Sequence, residues 1–181
     1  MGKRRRLRFL LPVLGMVVGL MAALTPAATA DPSAAIVYTR IAADNTHDPL
    51  KCLTVVAADT SERAIQFQCD PRFDDQFWAL IPTGPGSEWH WLQNLHSQKC
   101  LVVQGTANNT QAFQYTCSDQ FHDQFFRVYS TRAGGDFMLQ RYNPPADGAG
   151  KCLATRDNFN GSPVIQFTCN TGYADQWWHL I

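Results

Sequence analysis

Lys151-Cys152-Leu153, followed by Val164-Ile165-Gln166-Phe167-Thr168-Cys169 and then Asp175-Gln176-Trp177-Trp178, is a pattern that the chain uses three times. It recurs as Lys99-Cys100-Leu101, Ala112-Phe113-Gln114-Tyr115-Thr116-Cys117 and Asp123-Gln124-Phe125-Phe126. It occurs first as Lys51-Cys52-Leu53, Ala64-Ile65-Gln66-Phe67-Gln68-Cys69 and Asp75-Gln76-Phe77-Trp78. In every copy the second Cys stands 17 positions after the first, and the Gln of the closing motif stands 24 after it. Two spacings and three short motifs kept in register three times define an internal repeat. The repeats span about 36–82, 83–131 and 132–181.

Each repeat reads as four short strands. In the first these are residues 36–41, 52–57, 64–69 and 77–81; in the second 88–93, 100–104, 112–117 and 125–129; in the third 137–142, 152–156, 164–169 and 177–181. β-Branched and aromatic residues fill these runs, and Gly, Pro, Asn and Asp fill the gaps. No segment keeps an apolar helical period with caps over ten residues. The first and second copies are 48 residues apart and the second and third 52; the difference falls in the Pro/Gly-rich stretch 143–150, where a surface turn tolerates insertion. Four short strands cannot bury an apolar face alone, so three units must share one core. The expected fold is an all-β, twelve-strand, pseudo-threefold barrel.

Residues 1–30 read as a cleaved signal peptide. Lys3, Arg4, Arg5, Arg6 and Arg8 precede an apolar run from Phe9 to Leu24, and Ala28-Thr29-Ala30 supplies the small-residue cleavage site before Asp31. The run is shorter than the roughly 20 apolar residues of a spanning helix, so a secreted, extracellular protein without membrane insertion is expected. Residues 31–181 then form one domain. The full chain carries 15 basic and 15 acidic residues; without the five basic residues of the leader the remainder has a net charge of −5. Clustered cations, which nucleic acid requires, are missing from this composition, so nucleic acid is not an expected partner.

All six Cys lie in the exported part, where disulfides persist. Six Cys allow 15 pairings, and the threefold repeat favours the one that treats each copy alike: Cys52 with Cys69, Cys100 with Cys117, Cys152 with Cys169. Each closes a loop worth about 3 kcal/mol in the chain-entropy account. Metal ligation by these Cys would want pairs two to four apart and is not supported; no cofactor is expected.

The threefold pattern, Lys-Cys-Leu, the second Cys and the closing Gln76-Phe77-Trp78, Gln124-Phe125-Phe126 and Gln176-Trp177-Trp178 resemble a ricin B-type lectin domain. The resemblance covers essentially all of residues 31–181 and implies a β-trefoil that binds sugars. In that family each pocket has an Asp two positions after the first Cys, an aromatic near the second Cys and a polar residue just before the closing Gln. The resemblance places Asp75, Asp123 and Asp175 at the last position and Phe67, Tyr115 and Phe167 at the aromatic one. The first Asp is replaced three times, by Thr54, Val102 and Ala154, a departure from the galactose-type pattern that removes the bidentate acceptor for vicinal hydroxyls.

The strand period of two puts Ile65, Phe67 and Cys69 on one face and Gln66 and Gln68 on the other, and one of these faces must be core. The aromatic column is therefore either barrel packing or a set of stacking platforms; Tyr115 is the best platform, because its hydroxyl adds a polar handle. A second column, Phe73, Phe121 and Tyr173, lies four residues after the second Cys inside a polar turn. The cost of exposed apolar rings favours a plug over the barrel end; exposed, Phe121 and Tyr173 would flank the pockets and offset the missing Asp by stacking. The closing Gln and aromatic residues read as core and as ties to backbone.

Nothing in the sequence assembles a catalytic set. His47, His90, His96, His122 and His179 share no motif with a Ser nucleophile, and Asp74 and Asp75, adjacent on an extended chain, point opposite ways. Asn108-Asn109-Thr110 matches a glycosylation acceptor. The expected function is binding without catalysis: a monomeric secreted lectin that recognises a polysaccharide or cell-surface glycan through up to three weak pockets acting by avidity. The alternative is a trefoil that has lost sugar binding and holds a protein partner, as a protease inhibitor or toxin-targeting subunit.

Overall fold

The computed structural model describes residues 35–46, 49–142 and 150–181; the stretch expected to be a signal peptide, His47 and the stretch 143–149 lie outside them. Thirteen strands run in order: β1 (Thr39–Ala43), β2 (Lys51–Thr54), β3 (Ile65–Gln68), β4 (Phe77–Pro82), β5 (His90–Asn94), β6 (Cys100–Val102), β7 (Thr110–Gln111), β8 (Phe113–Tyr115), β9 (Phe125–Thr131), β10 (Phe137–Arg141), β11 (Lys151–Thr155), β12 (Val164–Thr168) and β13 (Trp178–Leu180). Six of them close on themselves through antiparallel pairs: β1 with β4, β4 with β5, β5 with β9, β9 with β10, β10 with β13, and β13 with β1. Closure removes the exposed edges that an open sheet of short strands would present. The hairpins β2/β3, β6/β8 and β11/β12 are built from the second and third strands of each repeat. This is a β-trefoil, with the disulfides Cys52–Cys69, Cys100–Cys117 and Cys152–Cys169 each joining the two strands of one repeat's hairpin at a Cα separation of 5.0 Å.

The twelve expected strands are all present, and one is broken in two. At Ala112 the third strand of repeat 2 changes partner: β7 pairs with β12 of repeat 3, whereas β8 pairs with β6 of its own repeat. The break lies on the pseudo-threefold axis. There Ala64 N donates to Ala112 O (2.9 Å), Ala112 N to Val164 O (2.8 Å) and Val164 N to Ala64 O (3.1 Å), a ring of three backbone hydrogen bonds with one member from each repeat.

The core is threefold in composition. Leu53, Leu101 and Leu153 are fully buried, as are Trp78, Phe126 and Trp178 from the closing motifs. Trp78 Nε1 donates to Leu53 O at 2.9 Å and Trp178 Nε1 to Leu153 O at 3.3 Å, so the indoles satisfy their polar edge inside the barrel. The Gln before each aromatic pair ends a single 3-10 turn, Asp74–Gln76, His122–Gln124 or Ala174–Gln176, which sequence patterning left as undifferentiated turn. Gln76 accepts from Asp70 N (2.8 Å) and donates to Gln68 O (2.9 Å); Gln124 and Gln176 repeat this with Ser118 and Thr116, and with Asn170 and Thr168.

Which face of the third strands is buried differs from what apolarity suggests. Gln66, Gln114 and Gln166 have no exposed surface, while Phe67 and Tyr115 on the opposite face are 39% and 38% exposed. The buried amides donate across the repeat boundaries. Gln66 Nε2 donates to Asp157 O and to Phe159 O (3.3 Å) of repeat 3; Gln114 Nε2 donates to Ala57 O and Asp59 O of repeat 1, both at 2.7 Å; Gln166 Nε2 donates to Gly105 O (3.2 Å) and Ala107 O (2.9 Å) of repeat 2. Each repeat therefore holds the hairpin loop of another. The Nε2 group of each amide meets two backbone carbonyls that an apolar residue would strand, while Gln66 Oε1 has no partner among the described residues.

Replacing Gln114 by Leu is expected to destabilise the protein by about 3 kcal/mol, because Ala57 O and Asp59 O lose their donor. Urea unfolding checks this, with exposed Gln120→Leu as the control that should change stability by no more than about 0.5 kcal/mol.

Candidate functional site

Behind each 3-10 turn a carboxylate is set at the mouth of a hairpin. The backbone of Asp75 is pinned by Asn94 Nδ2 (2.8 Å) and the Thr54 hydroxyl (3.3 Å), which both donate to Asp75 O; in repeat 2, Val103 N donates to Asp123 O at 3.2 Å. These ties fix where the side chains point. In all three repeats the Asp keeps one oxygen, Oδ1, buried with no hydrogen-bond partner among the described residues. Leaving a buried acceptor unmade costs about 1–3 kcal/mol, and three repeats carry the same cost at the same position.

The two aromatic columns meet beside these carboxylates. Phe73, Phe121 and Tyr173 are 45%, 46% and 42% exposed, so they do not plug the barrel end. Instead, in repeats 2 and 3 the turn ring stands over the ring of its own third strand: Tyr115 and Phe121 pack edge to face with centroids 6.1 Å apart, and Phe167 and Tyr173 do so at 6.3 Å. Edge-to-face packing shields one side of each ring and leaves the other to solvent, which is how the turn tolerates them. The packing alternative for Phe67 and Tyr115 is likewise not what the fold adopts, because the Gln66 and Gln114 face takes the interior.

The three sites are not alike. In repeat 2, Val102, Gln104, Phe113, Tyr115, Phe121, Asp123 and Gln124, with Ser61 from repeat 1, enclose a cleft of about 270 Å³. In repeat 1, Thr54, Val56, Phe67, Phe73, Asp75 and Gln76 line a smaller cleft of about 210 Å³. Burial pushes the Asp75 carboxyl above its ordinary value of 3.8, against the opposing effects of the Thr54 hydroxyl and the His96 charge. In repeat 3, Arg156 lies where a ligand would lie: its guanidinium is 3.8 Å from the Phe167 ring centroid and 5.9 Å from that of Tyr173, and Nη1 bonds Asp175 Oδ2 at 2.7 Å. Asp123 forms no ion pair among the described residues.

Sequence reasoning named the Asp and both aromatic columns and missed the residue that makes the repeats differ. That residue stands four after the first Cys: Val56, Gln104 and Arg156. The repeat register places these three side chains in one column, but the next column, Ala57, Gly105 and Asp157, varies as much, so variation alone did not single it out. Ser61 had no signal either, because it reaches the repeat 2 cleft from a different repeat. The positions of the missing first Asp, Thr54, Val102 and Ala154, are all buried, with Thr54 and Val102 lining the cleft floors.

A further cluster, Asp44, Asp136 and His179, lies near Arg132, which bonds Asp44 Oδ2 and, at 2.8 Å, Asp136 Oδ2. Arg132 already bridges the two carboxylates, so the cluster is an ion-pair network in this structure. Among the described residues no helix is long and apolar enough to cross a membrane.

The ricin-type beta-trefoil lectin domain family matches residues 88–181, and a second family described as ricin-type beta-trefoil lectin domain-like matches residues 33–115. No curated protein matches the chain. Among solved structures, the designed threefold-symmetric protein ThreeFoil is 26% identical, with a TM-score of 0.65 over 80% of this chain and 97% of its own. The Rhizoctonia solani agglutinin is 20% identical, with a TM-score of 0.64 over 84% of this chain and 99% of its own. The exo-β-1,3-galactanase 1,3Gal43A from Clostridium thermocellum is 20% identical, with a TM-score of 0.66 over 80% of this chain but 30% of the enzyme.

The raised Asp75 value has a signed consequence. Above the unfolded value of 3.8 the unfolded chain ionises this group more readily than the folded one, so the group opposes folding at neutral pH and ceases to do so in acid. Asp75→Asn is expected to raise the urea midpoint at pH 7, and the difference should close as pH falls below 3.8; an NMR titration of the Asp75 side chain should give a midpoint above that value.

Proposed function

The chain belongs to the ricin-type β-trefoil lectin family, and from that premise we propose that it is a secreted carbohydrate-binding protein whose principal pocket is in repeat 2. The observation that carries this reading is the buried, unpartnered Oδ1 of Asp123 at a cleft walled by Tyr115 and Phe121. A sugar offers what this site lacks: hydroxyl donors for a fixed acceptor and an apolar C–H face for a ring. Asp123 lines the cleft and is in no ion pair among the described residues, so a hydroxyl that meets its carboxylate gains a charge-assisted hydrogen bond once the side chain turns the unpartnered oxygen toward it. Tyr115 adds a phenolic hydroxyl and Gln104 an amide at the same cleft.

Repeat 1 offers the same elements, with Val56 standing where repeat 2 has Gln104 and with Arg72, Asp74 and His96 at an adjoining depression of about 290 Å³. Repeat 3 is closed to neutral sugars by Arg156, whose pairing with Asp175 and stacking on Phe167 occupy both recognition elements. Recognition is thus graded across the repeats rather than threefold. Such a protein gains avidity on a polymeric glycan from two pockets, and its role is binding rather than catalysis.

Two substitutions test this reading. Asp123→Ala is expected to weaken glycan binding at least tenfold by calorimetry while leaving the urea midpoint equal or higher, because the carboxylate oxygen it removes supports no contact in the fold. A drop in both quantities would instead mark Asp123 as structural. Arg156→Gln gives repeat 3 the residue that repeat 2 carries, and the binding stoichiometry should rise; an unchanged stoichiometry would contradict the role given to Arg156.

A further inference from the structure

The cleft of repeat 2 continues past its rim. Ser61 and Phe113 line it and also line a second, larger depression of about 570 Å³, together with Arg63, Asn109, Gln111 and Ala112. The two form one groove that leads from Asp123 toward the pseudo-threefold axis, where Ala112 takes part in the backbone ring. Beyond Phe113 its side chains are mainly polar.

Those polar groups are held in place and have bonding capacity to spare. A β-bridge joins Arg63 to Phe113; Arg63 Nη1 donates to Gln111 Oε1 at 2.9 Å, and Gln111 Nε2 in turn donates to Ala64 O at 3.2 Å. Arg63 is in no ion pair among the described residues, and its remaining N–H groups are unspent. Ser61 and Asn109 sit at positive φ, 72° and 66°, with backbone N–H groups bonded to Gln114 O and Gln166 O. Their backbone is thereby held at the groove, and their exposed side chains make no hydrogen bond among the described residues.

Comparison of the repeats shows why this groove is particular to one pocket. Each pocket borders the hairpin loop of another repeat. The loop beside the repeat 2 pocket supplies Ser61 and Arg63; at the matching loop positions stand Asn109 and Gln111 in repeat 2, and Gly161 and Pro163 in repeat 3. At these two matched positions only repeat 1 carries a cation, Arg63; Arg156 of the repeat 3 loop is engaged with Asp175 and Phe167. A planar guanidinium with free donors suits the paired oxygens of a carboxylate or sulfate better than it suits a neutral hydroxyl.

We infer that this groove is a second subsite, which receives the sugar unit linked to the one in the repeat 2 pocket, and that this unit carries an anionic group, a carboxylate or a sulfate ester, held by Arg63. The inference rests on the reading of the repeat 2 cleft as a glycan pocket. The ligand is then an acidic oligosaccharide of at least two units, and a monosaccharide fills only half the site.

The test is calorimetric titration of the oxidised protein with a monosaccharide and with three matched disaccharides: neutral, uronate-bearing and O-sulfated. The acidic disaccharides are expected to bind about tenfold more tightly than the neutral one, an advantage that shrinks with added salt. Whichever acidic disaccharide shows the larger advantage identifies the group. Arg63→Met should abolish the advantage while leaving binding of the monosaccharide, which does not reach the groove, unchanged, and Arg63→Lys should restore part of the advantage. An acidic-to-neutral ratio that survives Arg63→Met, or no acidic preference in the wild-type protein, overturns the subsite alone as long as Asp123→Ala still removes binding. Binding that persists in Asp123→Ala overturns the pocket reading beneath it.

Discussion

Everything in this structure depends on three buried glutamine side chains that bind one repeat to another. Gln66, Gln114 and Gln166 each reach across a boundary and hold two carbonyls of a neighbouring hairpin loop. Without them the loops would present unpaired carbonyls to the barrel end, and nothing in the apolar core would specify how one repeat sits on the next. Hydrophobic burial supplies the driving force, but it is not directional. The amides, with the ring of backbone bonds through Ala64, Ala112 and Val164, convert three similar hairpins into one closed unit.

The same arrangement governs the sites. Because Gln takes the inner face of each third strand, the aromatic residue beside it must face out, and in repeats 2 and 3 the turn ring packs edge-on against it. Two half-shielded rings next to a carboxylate follow from burying an amide. The fold therefore makes three candidate pockets together, and single substitutions on their walls make them differ. Val56, Gln104 and Arg156 have no role in the barrel core, so this position was free to diverge without cost to the fold.

Much of this was legible in the sequence, for a physical reason: a repeat with fixed spacings carries its own alignment. The strand positions, the three disulfides and the closing Gln-aromatic ties could be read from register alone. The buried face of the third strands could not, since polarity points the other way at Gln66 and only the distant loop carbonyls reverse it. Nor could the exposure of Phe121 and Tyr173, which depends on an edge-on partner that sequence spacing does not reveal. Ala112 looked like an ordinary strand residue because its departure from the ladder is imposed by two other repeats. Arg156 and Ser61 were missed for opposite reasons: the first looked like drift within a repeat, and the second reaches its pocket only through the threefold closure.

The central claim is that glycan recognition is concentrated in repeat 2, at a carboxylate that the fold leaves without a partner. The most direct measurement is a glycan array followed by NMR titration of the hit against the isotopically labelled, oxidised protein. The account predicts that the largest shifts fall on Tyr115, Phe121 and Asp123, with smaller ones on Phe67 and Asp75 and none on Phe167 and Tyr173. Shifts of equal size in all three repeats, or confined to repeat 3, would contradict it, as would a folded protein that binds no glycan at millimolar concentration.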